Sequence, residues 1–416
     1  MRDWSSWETF GLRGPKPEVD LAATLANAQR VARYAHEHKR MSEHIRAMGV
    51  DLVEHAGNVR FVDPNTLAAE DGQVWAADRV IIAAGGRASR PPIPGADLAL
   101  TYEDIRTLAA LPERVCVIGA ADTGCQLTSI LADFGCSVWL LEHAPRILPR
   151  ADQDVSTELE HAFRARGIIA VTGASVTQLE PRGHELGVVY RIGDQTRTVD
   201  VDAVFFAAGW PGNGDLIDAT TAGVALDRGY IVVDDYLRTT TAHIYAAGDV
   251  NGHSMLVASA RLEGRIAAEN AVLGPLRRVE HTIVPTGSFT DPEYASVGLT
   301  EEQARARFDC VVAVARYDDL LRPVADGRPD GFCKLIVDTD QRLIVGAHVL
   351  GEYSAEVIQT VAACMAGGMR IEQVADLQLA FPTFTEGIGM AAQMLVRELG
   401  NGPIPQVWSS LSAPQP

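Results

Sequence analysis

Residues 115–142, VCVIGAADTGCQLTSILADFGCSVWLLE, leave this chain few ways to fold. Val115, Cys116, Val117 and Ile118 make a continuous apolar run that reads as a parallel strand buried on both faces. A glycine turn over residues 119–124 follows, then an amphipathic helix over 126–134, then a second apolar run over 138–141 ending on Glu142. Strand, glycine turn, helix, strand and terminal acid together make a dinucleotide-binding βαβ unit. Gly119 permits the tight turn, Gly124 lets helix and strand pack closely, and the helix N-terminus offers N–H groups to a pyrophosphate. Glu142, within about 20 residues of the turn, can accept hydrogen bonds from a ribose diol. The middle position of the turn, usually glycine, is Ala121, whose methyl group weakens or alters the approach to the pyrophosphate. The plainer reading is a βαβ unit that keeps its fold without a ligand, with Glu142 a solvated strand end.

A chain of 416 residues has room for about three domains. Its 47% hydrophobic and 22% charged content is that of a globular protein with a sizeable core. The net charge of −18 argues against nucleic acid or an anionic membrane as partner. With no long apolar run and no signal-peptide pattern, a cytoplasmic protein is expected. The six cysteines, at 116, 125, 136, 310, 333 and 364, form neither a C-x-x-C nor a C-x-x-x-x-C pair. Buried structural thiols are expected of them. The eleven histidines show no metal-ligand spacing, so no metal is expected; His253 is the one to watch.

In chain order, residues 19–48 carry one long helical pattern, with Leu21, Leu25, Ala28, Val31, Ala32, Ala35 and Ile45 on a broad face. Strands are expected over 50–54 and 59–62, a hairpin over 66–76, and a buried strand over 79–84 running into Gly85. The prolines of residues 89–95 mark a boundary or crossover. A helix over 154–166, a hairpin over 187–201 and a strand over 203–208 ending at Gly209 follow. Residues 244–249, IYAAGD, repeat the strand-to-glycine junction and close on Asp249. From about residue 282 the pattern turns to four strands and then helices over 354–367 and 386–399, an α+β order.

The order and spacing of these junctions, from about Val19 to Gly400, resemble the pyridine nucleotide-disulfide oxidoreductases, among them dihydrolipoamide dehydrogenase and mercuric reductase. The resemblance implies an α/β fold: two Rossmann-like nucleotide-binding domains, the FAD one N-terminally incomplete, then an α+β dimerisation domain. It assigns residues 1–110 with 235–278 to FAD, 111–234 to NAD, 279–400 to dimerisation and 401–416 to a flexible tail. FAD and NAD(H) are the implied cofactors and a homodimer the implied assembly. By the same carry-over, Gly119, Ala121, Gly124, Glu142, Val176 and Gly209 meet NAD, while Val59, Gly85, Gly248, Asp249 and Val257 meet FAD. Asp249 could instead be a simple helix cap. A dimer face would be built from Val357, Ile358, Val361, Ala362 and Met365, which equally suit an intradomain core.

The departures bear on the acceptor. No G-x-G-x-x-G unit precedes Val19, the redox cysteine pair is absent, and Gln126 stands where a glutamate is usual. The usual base position is Phe381, with Glu386 kept, and an aromatic ring cannot take a proton. Glu386 then serves as a helix N-terminal charge. The expected function is FAD-dependent NADH oxidation, with hydride passed to a small non-thiol acceptor such as a quinone or nicotinamide. The alternatives are a disulfide reductase whose start lies upstream, and a non-catalytic nucleotide-binding remnant. Glu142 favours NADH over NADPH: a like charge at about 4 Å costs on the order of 4 kcal/mol at an effective dielectric of 20. Arg146, close in sequence, would soften that preference.

Overall fold

The computed structural model describes residues 7–8, 10–15 and 17–400; the expected tail over 401–416 lies outside the described residues. The chain forms two compact units, one built chiefly from residues 12–144 and 171–281, the other from 145–170 and 282–400.

Unit one holds the βαβ stretch. Strands Arg114–Ile118 and Ser137–Leu141 pair in parallel, and the helix Asp122–Asp133 crosses between them. The helix begins four residues before the expected start, so the glycine turn is shorter and Gly124 lies within the first helical turn. Ala203–Phe206 pairs in parallel with the other side of Arg114–Ile118, and Leu100–Thr101 with Ala203–Phe206. Val115, Cys116, Val117, Val204 and Phe205 are fully buried, each such side chain stabilising the fold by about 1.5–3 kcal/mol. An antiparallel sheet of Ser175–Arg182, Glu185–Ile192 and Gln195–Val201 returns the chain to this core.

The remainder of unit one contains an antiparallel meander, Val59–Asp63, Thr66–Ala69 and Val74–Ala76, as the hairpin pattern implied. Beside it a two-stranded parallel sheet joins Val80–Ile82 to Ile244–Ala246. The expected buried strand over 79–84 is thus only three residues long, and Ile81 is 40% exposed. Two further expectations fail. The single helix over 19–48 is broken: Leu21–Lys39 ends at Arg40, which adopts the left-handed conformation (φ 41°), and Met41–Ala47 restarts beyond it. Neither helix has a buried residue, so no packing holds the apolar face in one straight segment. Residues 50–54 form no strand: Val50 and Val53 are exposed, and no neighbouring strand pairs with them.

Unit two is a five-stranded antiparallel sheet, in the order Thr286–Ser288, Tyr294–Gly298, Ile344–Leu350, Phe332–Asp338, Cys310–Arg316. Helices Ser354–Ala366, Ile371–Ala375 and Glu386–Glu398 cover one face. Val357, Ile358, Val361 and Ala362 are spent on this core, and Met365 packs against it. Of the two uses the spacing allowed, the structure takes intradomain packing, and the stripe is no free dimer face. All seven residues of Phe332–Asp338 are buried, so the sheet is covered on its other face too. There Lys334, cross-strand from His348, meets Asp152 at 2.8 Å, Asp154 at 2.6 Å and Glu301 at 2.7 Å. A buried ammonium is tolerated only with such partners.

Candidate nucleotide-binding site

Three parallel-strand ends in unit one carry left-handed or otherwise glycine-favouring positions: Gly119 (φ 101°), Gly209 (φ 135°) and, on the two-stranded sheet, Gly248 (φ 78°). Gly119 and Gly124 are there for space. A Cβ on Gly124 would lie 1.8 Å from the Gly119 carbonyl oxygen, and one on Gly119 would lie 2.5 Å from the Ala207 oxygen. Backbone therefore packs on backbone where the strands end, the place at which open α/β sheets bind ligands. Ala121 is the N-cap, with ordinary negative φ and no side-chain cap bond, so the first-turn N–H groups are not closed off by a side chain. Its methyl group costs no backbone strain.

Glu142 is half-buried and already engaged. Oε2 accepts the Ala120 N–H at 2.6 Å and Oε1 the Ala144 N–H at 2.7 Å. It is thus no solvated strand end; it ties the glycine turn to the loop after the second strand. Each carboxylate oxygen has a further lone pair, which is what remains for a ribose hydroxyl. Val176 pairs with Tyr190 and packs on the core of this sheet. Arg146 donates to the carbonyls of Pro149 and Ala151.

The second group is gathered around Val80–Ile82 and Ile244–Ala246. Gly85 (φ 66°) follows the first strand, and the Gly248 N–H after the second donates to Glu263 Oε2 at 2.6 Å. Asp249 opens a short 3-10 turn capped by Gly248, and its Oδ2 accepts from Trp210 Nε1 at 3.1 Å. Val59 begins the meander and Val257 begins the helix Val257–Leu273, 79% exposed. Trp210, which sequence reasoning passed over, joins the two groups. It directly follows Gly209, bonds Asp249, lies tilted against Tyr102 (centroids 5.3 Å apart), and crowds Gly86, where a Cβ would meet its indole at 2.5 Å. Asn213 adds bonds to Ala84 and Gly85, and Arg87 pairs with Asp215. The signal for Trp210 was an aromatic at a strand-to-glycine junction, too common to single out.

In unit two, Phe381 is 68% exposed, and Glu386 stands in the first turn of Glu386–Glu398. Oε2 of Glu386 is buried with no hydrogen-bond partner, and burial raises its pKa. All six cysteines are buried, as expected. Burial pushes the Cys333 thiol up to about 12 and Cys116 still higher. His253, Glu263 and His281, far apart in sequence, come together with ligand atoms within 4.8 Å of one another. Spacing along the chain could not reveal a grouping made by a turn, a helix and a connector.

Residues 11–264 match the pyridine nucleotide-disulphide oxidoreductase family, and residues 284–392 match the dimerisation domain of that family. The chain belongs to this family. It is similar to mercuric reductase of Bacillus cereus, 31% identical over 385 residues, covering 92% of this chain and 60% of that protein. A dihydrolipoyl dehydrogenase of Mycobacterium bovis is 32% identical over 360 residues, covering 84% of this chain and 77% of its own. Among solved structures, the HOCl-induced flavoprotein disulfide reductase RclA from Escherichia coli superposes with a TM-score of 0.82 at 25% identity, covering 91% and 87% of the two chains. The family's members are flavin-dependent oxidoreductases that use FAD and NAD(P)H. Among the described residues no helix is long and apolar enough to cross a membrane.

Proposed function

We propose that this chain binds NADH at residues 111–234 and FAD at residues 1–110 with 235–278, and passes reducing equivalents to a small non-thiol acceptor. On this reading Gly119, Ala121, Gly124 and Gly209 give the dinucleotide a close backbone approach, Val176 packs on its adenosine, and Glu142 orients a ribose through its remaining lone pairs. Val59, Gly85, Gly248, Asp249 and Val257 are the residues here that would hold FAD. One oxygen of Asp249 carries no protein bond among the described residues, which fits a hydroxyl-rich ligand. Bound flavin would supply hydride acceptance and onward electron transfer; the protein supplies orientation and electrostatics. Trp210 keeps the two groups of residues in register.

The observation that carries the choice of acceptor is the burial of every cysteine in the chain. A thiol acts as a nucleophile only as an accessible thiolate; all six are buried, and burial raises the pKa of Cys116, Cys136, Cys310, Cys333 and Cys364. Phe381 supports the same reading, since it cannot serve as a base. A homodimer formed through the dimerisation domain belongs to this proposal, with the exposed Leu321, Val324, Tyr353, Phe381 and Met394 available to it. The test is anaerobic addition of NADH to the FAD-loaded protein, followed by a quinone or by lipoamide. Flavin bleaching by NADH, reoxidation by quinone and indifference to thiol alkylation are expected. Reoxidation by lipoamide that alkylation abolishes would make it a disulfide reductase, and absence of bound flavin would leave a nucleotide-binding remnant.

A further inference from the structure

We propose that His253, Glu263 and His281 form a binding site for a divalent transition-metal ion of the zinc type. Glu263 lies on the helix Val257–Leu273 and is completely buried. Its two oxygens have different surroundings. Oε2 accepts the Gly248 N–H at 2.6 Å and Asn251 Nδ2 at 2.8 Å. Oε1 is buried and has no hydrogen-bond partner. His281 Nε2 lies 3.1 Å from the carboxylate, yet neither ring nitrogen of His281 makes a hydrogen bond. The His253 ring stands edge-on to it, centroids 5.8 Å apart, on a loop pinned by its own N–H to Asn251 Oδ1.

A fully buried carboxylate oxygen and a buried imidazole pair of nitrogens, side by side with none of them hydrogen-bonded, are costly unless a cation joins them. A lone proton shared between Glu263 and His281 would call for a well-aligned N–H···O bond, and the 3.1 Å approach is not aligned as one. It does suit two ligands of a single ion: with metal–ligand bonds of about 2.0–2.2 Å, tetrahedral neighbours lie on the order of 3.3 Å apart. The whole set lies within 4.8 Å, so the exposed His253 closes the site by a small movement. Two imidazoles and one carboxylate, leaving a position open, suit Zn²⁺ and its neighbours among the divalent transition metals. Mg²⁺ and Ca²⁺, which take oxygen ligands, are disfavoured. Because Oε2 of the same carboxylate fixes Gly248 and Asn251, the ion would also brace the loop that carries Asp249.

The experiment is isothermal titration of Zn²⁺ into the chelator-stripped full chain, alongside His253→Gln and the double variant His253→Gln/His281→Gln. One tight equivalent is expected for the native chain, weakened at least about ten-fold by His253→Gln and lost in the double variant. Zn²⁺ should also raise the melting temperature of the native chain and leave that of the double variant unmoved. His253 is exposed, so its single variant keeps the fold and decides the matter even if the double variant does not. Equal Zn²⁺ affinity in the native chain and His253→Gln, or no tight equivalent in the native chain, overturns the proposal. X-ray absorption at the zinc edge with no imidazole scattering would overturn it as well.

Discussion

Glu142 Oε2 accepts the backbone N–H of Ala120 at 2.6 Å, across the glycine turn that starts the helix Asp122–Asp133. Its other oxygen holds the Ala144 N–H, so the acid that would read the ribose also shapes the turn that would cradle the pyrophosphate.

Nucleotide preference and stability should therefore change together at this position. The native chain is expected to favour NADH over NADPH by about ten-fold or more in kcat/KM, since each 1.4 kcal/mol or so of repulsion is a decade. Glu142→Gln should narrow that ratio. Its amide has only one acceptor oxygen for two N–H groups, so urea midpoints should show a loss of about 1–3 kcal/mol. Equal use of both nucleotides by the native enzyme would refute the ribose role.

Ala121→Gly should tighten NADH binding. Ala121 has unstrained backbone, so the change removes a methyl group from the pyrophosphate approach without relieving strain. A two- to ten-fold fall in Kd, up to about 1.4 kcal/mol, is expected by fluorescence titration.

Lys334→Ala should be severe. The ammonium is 2% exposed beside Asp152, which is 1% exposed, and removing it takes the ammonium partner from a buried carboxylate, at a cost of about 3–5 kcal/mol. Lys334→Ala with Asp152→Asn should recover part of that loss in urea unfolding.

The same network sets a pH window. Burial opposes ionisation of Asp152, but His348, the Glu301 N–H and Lys334 outweigh it and hold the carboxyl below its usual 3.8. Glu301, against its own burial, is held below 4.5 chiefly by Lys334 and Arg305. Both carboxylates contribute stability above those values and lose it as pH falls through their lower folded values. Lys334, despite burial, is raised above 10.5 by Asp152, Asp154 and Glu301, so its contribution is present below 10.5 and fades only in strong alkali. Urea midpoints of the native chain should be level between about pH 5 and 10 and drop on either side. The difference from Lys334→Ala should shrink in acid.

Glu386→Gln should be mildly stabilising at neutral pH. Burial raises the Glu386 pKa, so the folded chain resists its ionisation, and this cost grows as pH rises above the usual 4.5. A melting-temperature gain on the order of 1 °C is expected at pH 7.5, vanishing near pH 4. A loss of stability would mean that Glu386 has a partner in the assembled protein.

Much of the fold is legible because its signals are local. The βαβ stretch, the meander over 59–76 and the hairpin over 187–201 combine periodicity with turn residues, and the structure places them within a few residues of expectation. The failures lie where an apolar pattern lacks a partner. Residues 50–54 alternate like a strand but have nothing to pair with, and the helix pattern over 19–48 breaks at Arg40 because no packing enforces it. Trp210 and the trio His253, Glu263 and His281 escaped for a different reason. Their significance is contact with residues distant in the chain.

The amino-acid sequence alone determined the βαβ core, the glycines at the strand ends and the absence of a C-x-x-C or C-x-x-x-x-C pair within its 416 residues. All of these follow from residue type and spacing. Only the tertiary structure decided that both oxygens of Glu142 are already engaged, that one oxygen of Glu386 is left without a partner, and that Val357 and its neighbours fill their own core. It also decided that two histidines meet one buried glutamate. Hydrogen-bond occupancy and burial are properties of space, set by which distant elements pack together, and no local pattern encodes them.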